Sequence, residues 1–160
     1  MKHKRILRIL GILFVLTLIC SLIPAAVFAA TPTTNSISLT PVTVRVGETV
    51  TVHGAFVPTA SEYWINIYLS PSNLTPGATT YITTAPTYHT VGNGALLQTI
   101  TENPDGTFTA TFSVPANLTT GLTDAAVTSG TYYVYASKTS TTGVETGVLA
   151  KATLTITAPL

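Results

Sequence analysis

Two histidines and six carboxylates are all the acid–base chemistry that residues 30–160 carry, and they are scattered. His53 ends a run of alternating residues and His89 falls in a long irregular stretch. Glu48, Glu62, Glu102, Asp105, Asp124 and Glu145 lie mostly in turns. A nucleophile, its base and the group that orients the base must meet within hydrogen-bond reach. Nothing in this spacing brings such a set together, so no catalytic residue is assigned and no enzymatic activity is expected. Calcium takes several oxygen ligands, carboxylates among them. Glu102, Asn103 and Asp105 cluster, but Asn103-Pro-Asp-Gly106 is first of all a turn sequence, in which Pro presets φ and Gly supplies a positive one. No metal and no cofactor are expected.

The aromatic residues carry more chemistry. Trp64 and Tyr68 are four apart in one alternating run, and Tyr133 and Tyr135 are two apart in another; Tyr81 and Tyr88 fall in the irregular stretch between. Each pair shares a strand face, because side chains alternate with period two. Exposed together, these six make a flat platform for sugar rings or for a partner protein. Packed together, they are cross-strand pairs and core. Asn73-Leu-Thr and Asn117-Leu-Thr match the N-glycosylation acceptor pattern.

The compartment comes from the first thirty residues. A basic start, Met1-Lys-His-Lys-Arg, leads into an apolar run, and Pro24-Ala-Ala-Val-Phe-Ala-Ala30 closes it with small residues. That is the layout of a secretory signal peptide. Val27 and Ala29 suit the −3 and −1 positions of a cut between Ala29 and Ala30. An uncleaved anchor is the rival reading, but Ile9–Ile23 spans only 15 residues, short of the roughly 20 that a membrane-crossing helix needs. Cys20 follows Ile19 and Leu18 rather than a small residue, which argues against lipid attachment. Residues 1–29 are thus expected to be removed, leaving a secreted, extracellular or cell-envelope domain of residues 30–160, with no membrane association thereafter.

Loss of the leader reverses the charge balance. Arg45, Lys138 and Lys151 remain against the six carboxylates, a net charge of −3. Three scattered cations make no basic patch, so nucleic acid is excluded as a partner. The chain's one Cys leaves with the leader, and the fold must be held by its core alone. Threonine is abundant where charge is scarce, which suits solvent-facing β-sheet.

Alternation then sets the elements. Ile37 and Leu39, then Val42, Val44 and Val46, alternate on either side of Pro41, which fits an edge strand or one that switches sheets. Val50 and Val52 follow a Gly47-Glu48 turn. In Tyr63–Ser70 the aliphatic face of Ile65, Ile67 and Leu69 is the core candidate. Tyr81-Ile-Thr is a short strand inside the irregular 72–95 segment. Leu96–Thr101 and Thr107–Val114 flank the Asn103–Gly106 turn and are expected to form a hairpin, with Phe108, Ala110, Phe112 and Val114 facing in. A helical turn is expected near Thr123-Asp-Ala-Ala126. Gly130–Ser137 and Leu149–Thr157 close the domain.

The strings Val46-Gly-Glu-Thr-Val-Thr-Val-His-Gly54, Asn103-Pro-Asp-Gly-Thr-Phe-Thr-Ala-Thr-Phe-Ser-Val-Pro115 and Gly130-Thr-Tyr-Tyr-Val-Tyr-Ala136 together resemble the immunoglobulin-like domains of bacterial and archaeal cell-surface proteins, including the IPT/TIG type. The resemblance covers nearly all of residues 30–160 except 71–95 and 116–129. It implies an all-β fold, an immunoglobulin-like Greek-key β-sandwich of 7–8 strands behind a signal-peptide helix. It also implies a non-catalytic structural or adhesive role at the cell surface, with a protein or glycan as partner. Self-association through Ala30–Thr40 is one form of that role. A carbohydrate-binding module using Trp64 and Tyr68 is the alternative.

Overall fold

Strict alternation of apolar with Thr or Ser residues needs a buried face and a wet face, and the chain answers with strands throughout. The computed structural model describes residues 30–59, 63–78, 80–82, 90–92, 95–119, 124–140 and 145–158. The chain divides into two compact units, Met1–Ala30 and Thr31–Leu160. The expected signal peptide, its Ala29 cleavage residue, Tyr88 and His89 lie outside the described residues.

In chain order the strands are β1 (Ser36–Thr40), β2 (Thr43–Arg45), β3 (Thr49–Ala55), β4 (Tyr63–Ser70), β5 (Thr80–Ile82), β6 (Thr90–Gly92), β7 (Ala95–Thr101), β8 (Thr107–Ser113), β9 (Asn117–Thr119), β10 (Asp124–Ala126), β11 (Gly130–Ser140) and β12 (Ala150–Thr157). Eight of them build two facing sheets, β1-β3-β8 and β2-β12-β11-β4-β7. The remaining four form two small ribbons, β9 with β10 and β5 with β6. This is the β-sandwich expected from the alternation, of the immunoglobulin-like kind that the resemblance implied. Among the described residues no helix is long and apolar enough to cross a membrane.

Pro41 does what its chemistry requires. It has no N–H to give to a ladder. β1 pairs antiparallel with β3 up to Thr40, the Thr40–Pro41 bond is cis, and β2 then pairs parallel with β12 in the other sheet. The opening strand therefore switches sheets at the proline, and Ser36–Thr40 is paired within its own chain.

The core lies between the sheets. Leu39, Val50, Val52, Phe108, Ala110 and Phe112 meet Ile65, Ile67, Leu69, Val134, Ala136, Leu154 and Ile156. Burying each of the larger side chains is worth about 1.5–3 kcal/mol. Gly54 is in phase with Val50 and Val52, opposite Phe108. A Cβ there would come 2.0 Å from the Phe108 ring, so the glycine is the seat of that ring. Phe56 packs edge-on against the same ring, with centroids 5.0 Å apart. Tyr132, near the start of β11, accepts a hydrogen bond from the Thr128 N–H at 3.1 Å. A tyrosine hydroxyl tied back to backbone just upstream is a hallmark of immunoglobulin-like sandwiches.

Two expectations are corrected. The Asn103–Gly106 turn forms as read, with Gly106 at φ 84° and its N–H donating to Asn103 O at 2.9 Å. It does not close a hairpin. β7 pairs with β4 and β8 with β3, so the turn carries the chain from one sheet to the other. Alternation fixes which face of a strand is buried but not which strand pairs with it; seating Phe108 over Gly54 aligns β8 with β3. The facing edge is sealed by a side chain, since the Thr111 N–H donates to Gln98 Oε1 at 3.1 Å. The second correction is at residues 124–126, which form β10 rather than a helical turn. β9 offers its ladder opposite, and strand pairing there wins over a lone turn of helix.

Candidate functional site

The outer face of the five-stranded sheet collects the aromatic residues. Tyr68 on β4 stands directly opposite Tyr135 on β11, Asn66 opposite Ser137, and Trp64 opposite Thr139. On the other side of β4, Trp64 faces Thr101 and Asn66 faces Thr99, both on β7. All four tyrosine and tryptophan positions of the two expected pairs therefore lie on one face of one sheet. They do not form one exposed row.

Half of that face is covered. The segment after β4 folds back over it, bringing Leu74 and Ile82 onto Tyr68, Tyr133, Tyr135 and Val148 as a second, smaller apolar cluster. Tyr135 is fully buried; its hydroxyl donates to Ser72 O at 2.6 Å and accepts from the Leu74 N–H at 2.7 Å. Gly77 N–H bonds Val148 O, and Val148 N–H bonds Thr80 O, which fastens the segment to the approach to β12. Tyr68 is only 3 % exposed. Its hydroxyl and that of Ser137 both donate to Glu145 Oε1, each at 2.5 Å. Burial first, then the bond and the negative charge of Glu145, push the Tyr68 phenol well above its ordinary value; contacts with Ser137 and Asn66 pull the other way. Burial likewise raises Tyr135, opposed by its bond with Leu74. Tyr133 is partly exposed, with its ring 6.4 Å from that of Tyr135 and the Lys151 ammonium 5.6 Å from its centroid. Tyr81 lies on β5.

The other half is open. Trp64 is 44 % exposed and is the chain's single tryptophan. Beside it runs a chain of neutral hydrogen bonds across three strands. Thr99 Oγ1 donates to Asn66 Oδ1 at 2.8 Å, and Asn66 Nδ2 donates to Thr139 Oγ1 at 2.7 Å. Leu96, 51 % exposed on β7 opposite Tyr68, bounds the patch on its far side. Large apolar side chains left in water on a rigid sheet, with hydrogen-bonding groups between them, are the makings of a contact surface.

The remaining candidates stand apart. His53 is exposed on β3, its Nδ1 3.5 Å from Thr109 Oγ1. Asp105 accepts from both the Thr107 hydroxyl and its N–H, which hold its carboxyl below the usual carboxylate range. Among the described residues no three His, Cys, Asp or Glu side chains gather as metal ligands would. Asn73, exposed within the folded-back segment, accepts from Lys151 Nζ at 2.8 Å, and Asn117 is exposed on β9.

Sequence reasoning missed the most deeply placed charges. Lys138 is on β11 in phase with the inward Tyr132, Val134 and Ala136, and is buried. Its ammonium lies 2.7 Å from Glu102 Oε1 as an ion pair without hydrogen-bond alignment, donates to Val57 O at 3.1 Å and sits 5.6 Å from the Phe56 centroid. A lysine in core phase was the readable signal. The Tyr68–Ser137–Glu145 cluster had none, since Tyr68 and Glu145 are 77 residues apart.

No family model matches the chain, nor does any curated protein. Solved structures do. T. fusca AA10A is 13 % identical at a TM-score of 0.39, over 71 % of this chain and 50 % of its own length. Macromomycin is 16 % identical at 0.41, over 78 % and 99 %. The CARDB domain of a Pyrococcus furiosus protein, solved in complex with di-metal ions, is 16 % identical at 0.35, over 77 % and 85 %. The likeness is one of all-β fold alone.

Proposed function

We propose that this chain is exported and works by contact rather than turnover, as a non-catalytic immunoglobulin-like protein of the cell surface or its surroundings with a structural or adhesive role. Among such domains it is assigned to the IPT/TIG type on the sequence strings that carry that resemblance. The single observation behind the contact role is the half-exposed Trp64 on the outer sheet face, rigidly mounted between β11 and β7. Tryptophan side chains at the centre of a contact surface commonly dominate its affinity. The leader layout supports export.

The test uses the one tryptophan. Cells of the source, or their isolated envelopes, are presented to immobilised protein and to Trp64→Ala of equal thermal stability. Adhesion by the native protein that falls at least about tenfold in the variant supports the reading; equal retention by both removes it. Amino-terminal sequencing of the secreted protein should begin at Ala30, and an intact Met1 would refute cleavage.

A further inference from the structure

The polarity of the hydrogen-bond chain beside Trp64 says what the open half of the face can take. We infer that Trp64, Asn66, Thr99 and Thr139 form a binding site for a neutral glycan, a sugar unit stacked on the indole with its hydroxyls bridged by the two threonines. This rests on the contact role proposed above and names the ligand of that same surface.

Thr99 gives its hydroxyl proton to Asn66 and keeps its lone pairs for accepting. Asn66 gives an amide proton to Thr139, so the Thr139 hydroxyl keeps its own proton for donating outward. The three-residue chain thus ends in an acceptor on β7 and a donor on β11, two strand spacings apart, roughly 10 Å between the strands. With the Asn66 amide turned over the ends exchange roles, and one acceptor and one donor remain. A hydroxyl donates and accepts at once, so a ligand carrying several hydroxyls satisfies both ends. Between those strands Trp64 supplies a flat surface with a negative π face. The weakly positive C–H face of a sugar ring fits it, and the threonines beside it meet the ring's edge.

Charge narrows the class further. Trp64, Asn66, Thr99, Thr101 and Thr139 are all neutral. Glu145 is joined to the patch by a backbone bridge to Thr139. Its carboxylate disfavours acidic sugars and phosphorylated ligands; no Lys or Arg occupies β4 or β7, and Lys138 on β11 is buried in phase with the core and paired with Glu102. A strongly cationic ligand is held best by several aromatic walls. Here Tyr68 and Tyr135 are buried, and Trp64 is the open aromatic wall on this half among the described residues.

The chain's single tryptophan makes the test direct. Soluble neutral polymers (xylan, mannan, hydroxyethyl cellulose), a cationic one (chitosan) and an acidic one (polygalacturonate) are run in affinity gels and titrated against Trp fluorescence. A neutral polymer should retard the protein, shift the emission to shorter wavelength and shield it from iodide. Trp64→Ala should lose at least about thirtyfold in affinity. The double variant Thr99→Val/Thr139→Val keeps the indole and should lose about fivefold or more. Binding only to chitosan or polygalacturonate overturns the inference, as does neutral-polymer binding untouched in Trp64→Ala. If no polymer binds while adhesion still depends on Trp64, the glycan assignment falls and the contact role stands. If adhesion is also independent of Trp64, both fall.

Discussion

Removing Lys138 should be the most damaging single change in the domain that leaves its strands' sequence pattern intact. The Lys138 and Glu102 side chains are 4 % and 8 % exposed, and their charges are 2.7 Å apart. Ion pairs this deep owe little net stability to their mutual attraction, because desolvation offsets it; breaking one partner alone is what costs, typically about 3–5 kcal/mol. In Lys138→Met the Glu102 carboxylate stays buried without its cation, and Val57 O loses its donor. A unit of about 130 residues, Thr31–Leu160, unfolds with an entropy near 0.27 kcal/mol/K, so each kcal/mol moves the melting temperature by about 4 °C. The variant should therefore melt about 10–20 °C lower.

The double variant Lys138→Met/Glu102→Leu removes both charges and should return to within about 1 kcal/mol of the native protein, since a well-packed apolar pair replaces a buried ion pair at little cost. The assay is urea unfolding of the four proteins of that cycle, followed by the single tryptophan, with a coupling energy of at least about 2 kcal/mol. A loss below 1 kcal/mol in Lys138→Met, or losses that simply add in the double variant, would refute the claim that these charges are sealed in the core.

Three further outcomes follow from other contacts. Tyr135→Phe keeps the ring but strands the Leu74 N–H and Ser72 O beneath it, at a cost of about 1–3 kcal/mol; amide exchange at Leu74 should quicken more than exchange in β3, and uniform quickening would contradict a local role. The raised Tyr68 phenol stays protonated in the folded state while the unfolded one ionises near pH 10. Its stabilising contribution is thus complete below that pH and lost progressively above it, so Tyr68→Phe should flatten the alkaline fall in melting temperature; an unchanged slope would count against the sealing of the Tyr68 phenol beside Glu145. Gly106→Ala places a Cβ 2.1 Å from Phe56 O at a positive φ, and a loss of about 1–3 kcal/mol by thermal unfolding is expected, against almost none if the turn relaxes freely.

The readable parts of this fold were those that depend on parity along one strand. Phe108, Ala110 and Phe112 are buried and Thr109 and Thr111 exposed because period two leaves no choice once one face meets the core. The Pro41 switch and the Asn103–Gly106 turn were legible because each rests on a backbone property of one residue type. Parity also held the Lys138 signal, since Lys138 is in step with Tyr132, Val134 and Ala136. What parity cannot give is the partner across the ladder. The sheet to which β8 belongs and the meeting of Glu145 with Tyr68 are long-range outcomes that no local pattern encodes. Exposure of the aromatics was hidden for the same reason: Trp64 and Tyr68 have the same phase on the same strand, and long-range cover by Leu74, Ile82, Glu145 and Val148 makes one wet and the other dry.

That unequal covering is what turns a sheet face into a site. In a two-layer sandwich both outer faces are ordinarily open to water, and an exposed tryptophan there is only one rotamer-mobile side chain among many. Here Tyr68 and Tyr135 are pinned beneath the folded-back segment, and the hydroxyls of Tyr68 and Ser137 are held on Glu145. β4 and β11 are thereby fixed along the half of their length that adjoins Asn66 and Thr139. The open half inherits that rigidity: Trp64, Asn66 and Thr139 are presented by strands whose register cannot slip without breaking a buried cluster. Binding at such a face gives up little conformational entropy, which is how a small neutral surface with few hydrogen bonds reaches useful affinity. Tyr135→Phe, which touches no part of the open patch, should weaken neutral-glycan binding by loosening its support, and it should do so less than Trp64→Ala. A Tyr135→Phe protein that binds as tightly as the native one would show that the covered half packs the domain without stiffening the site.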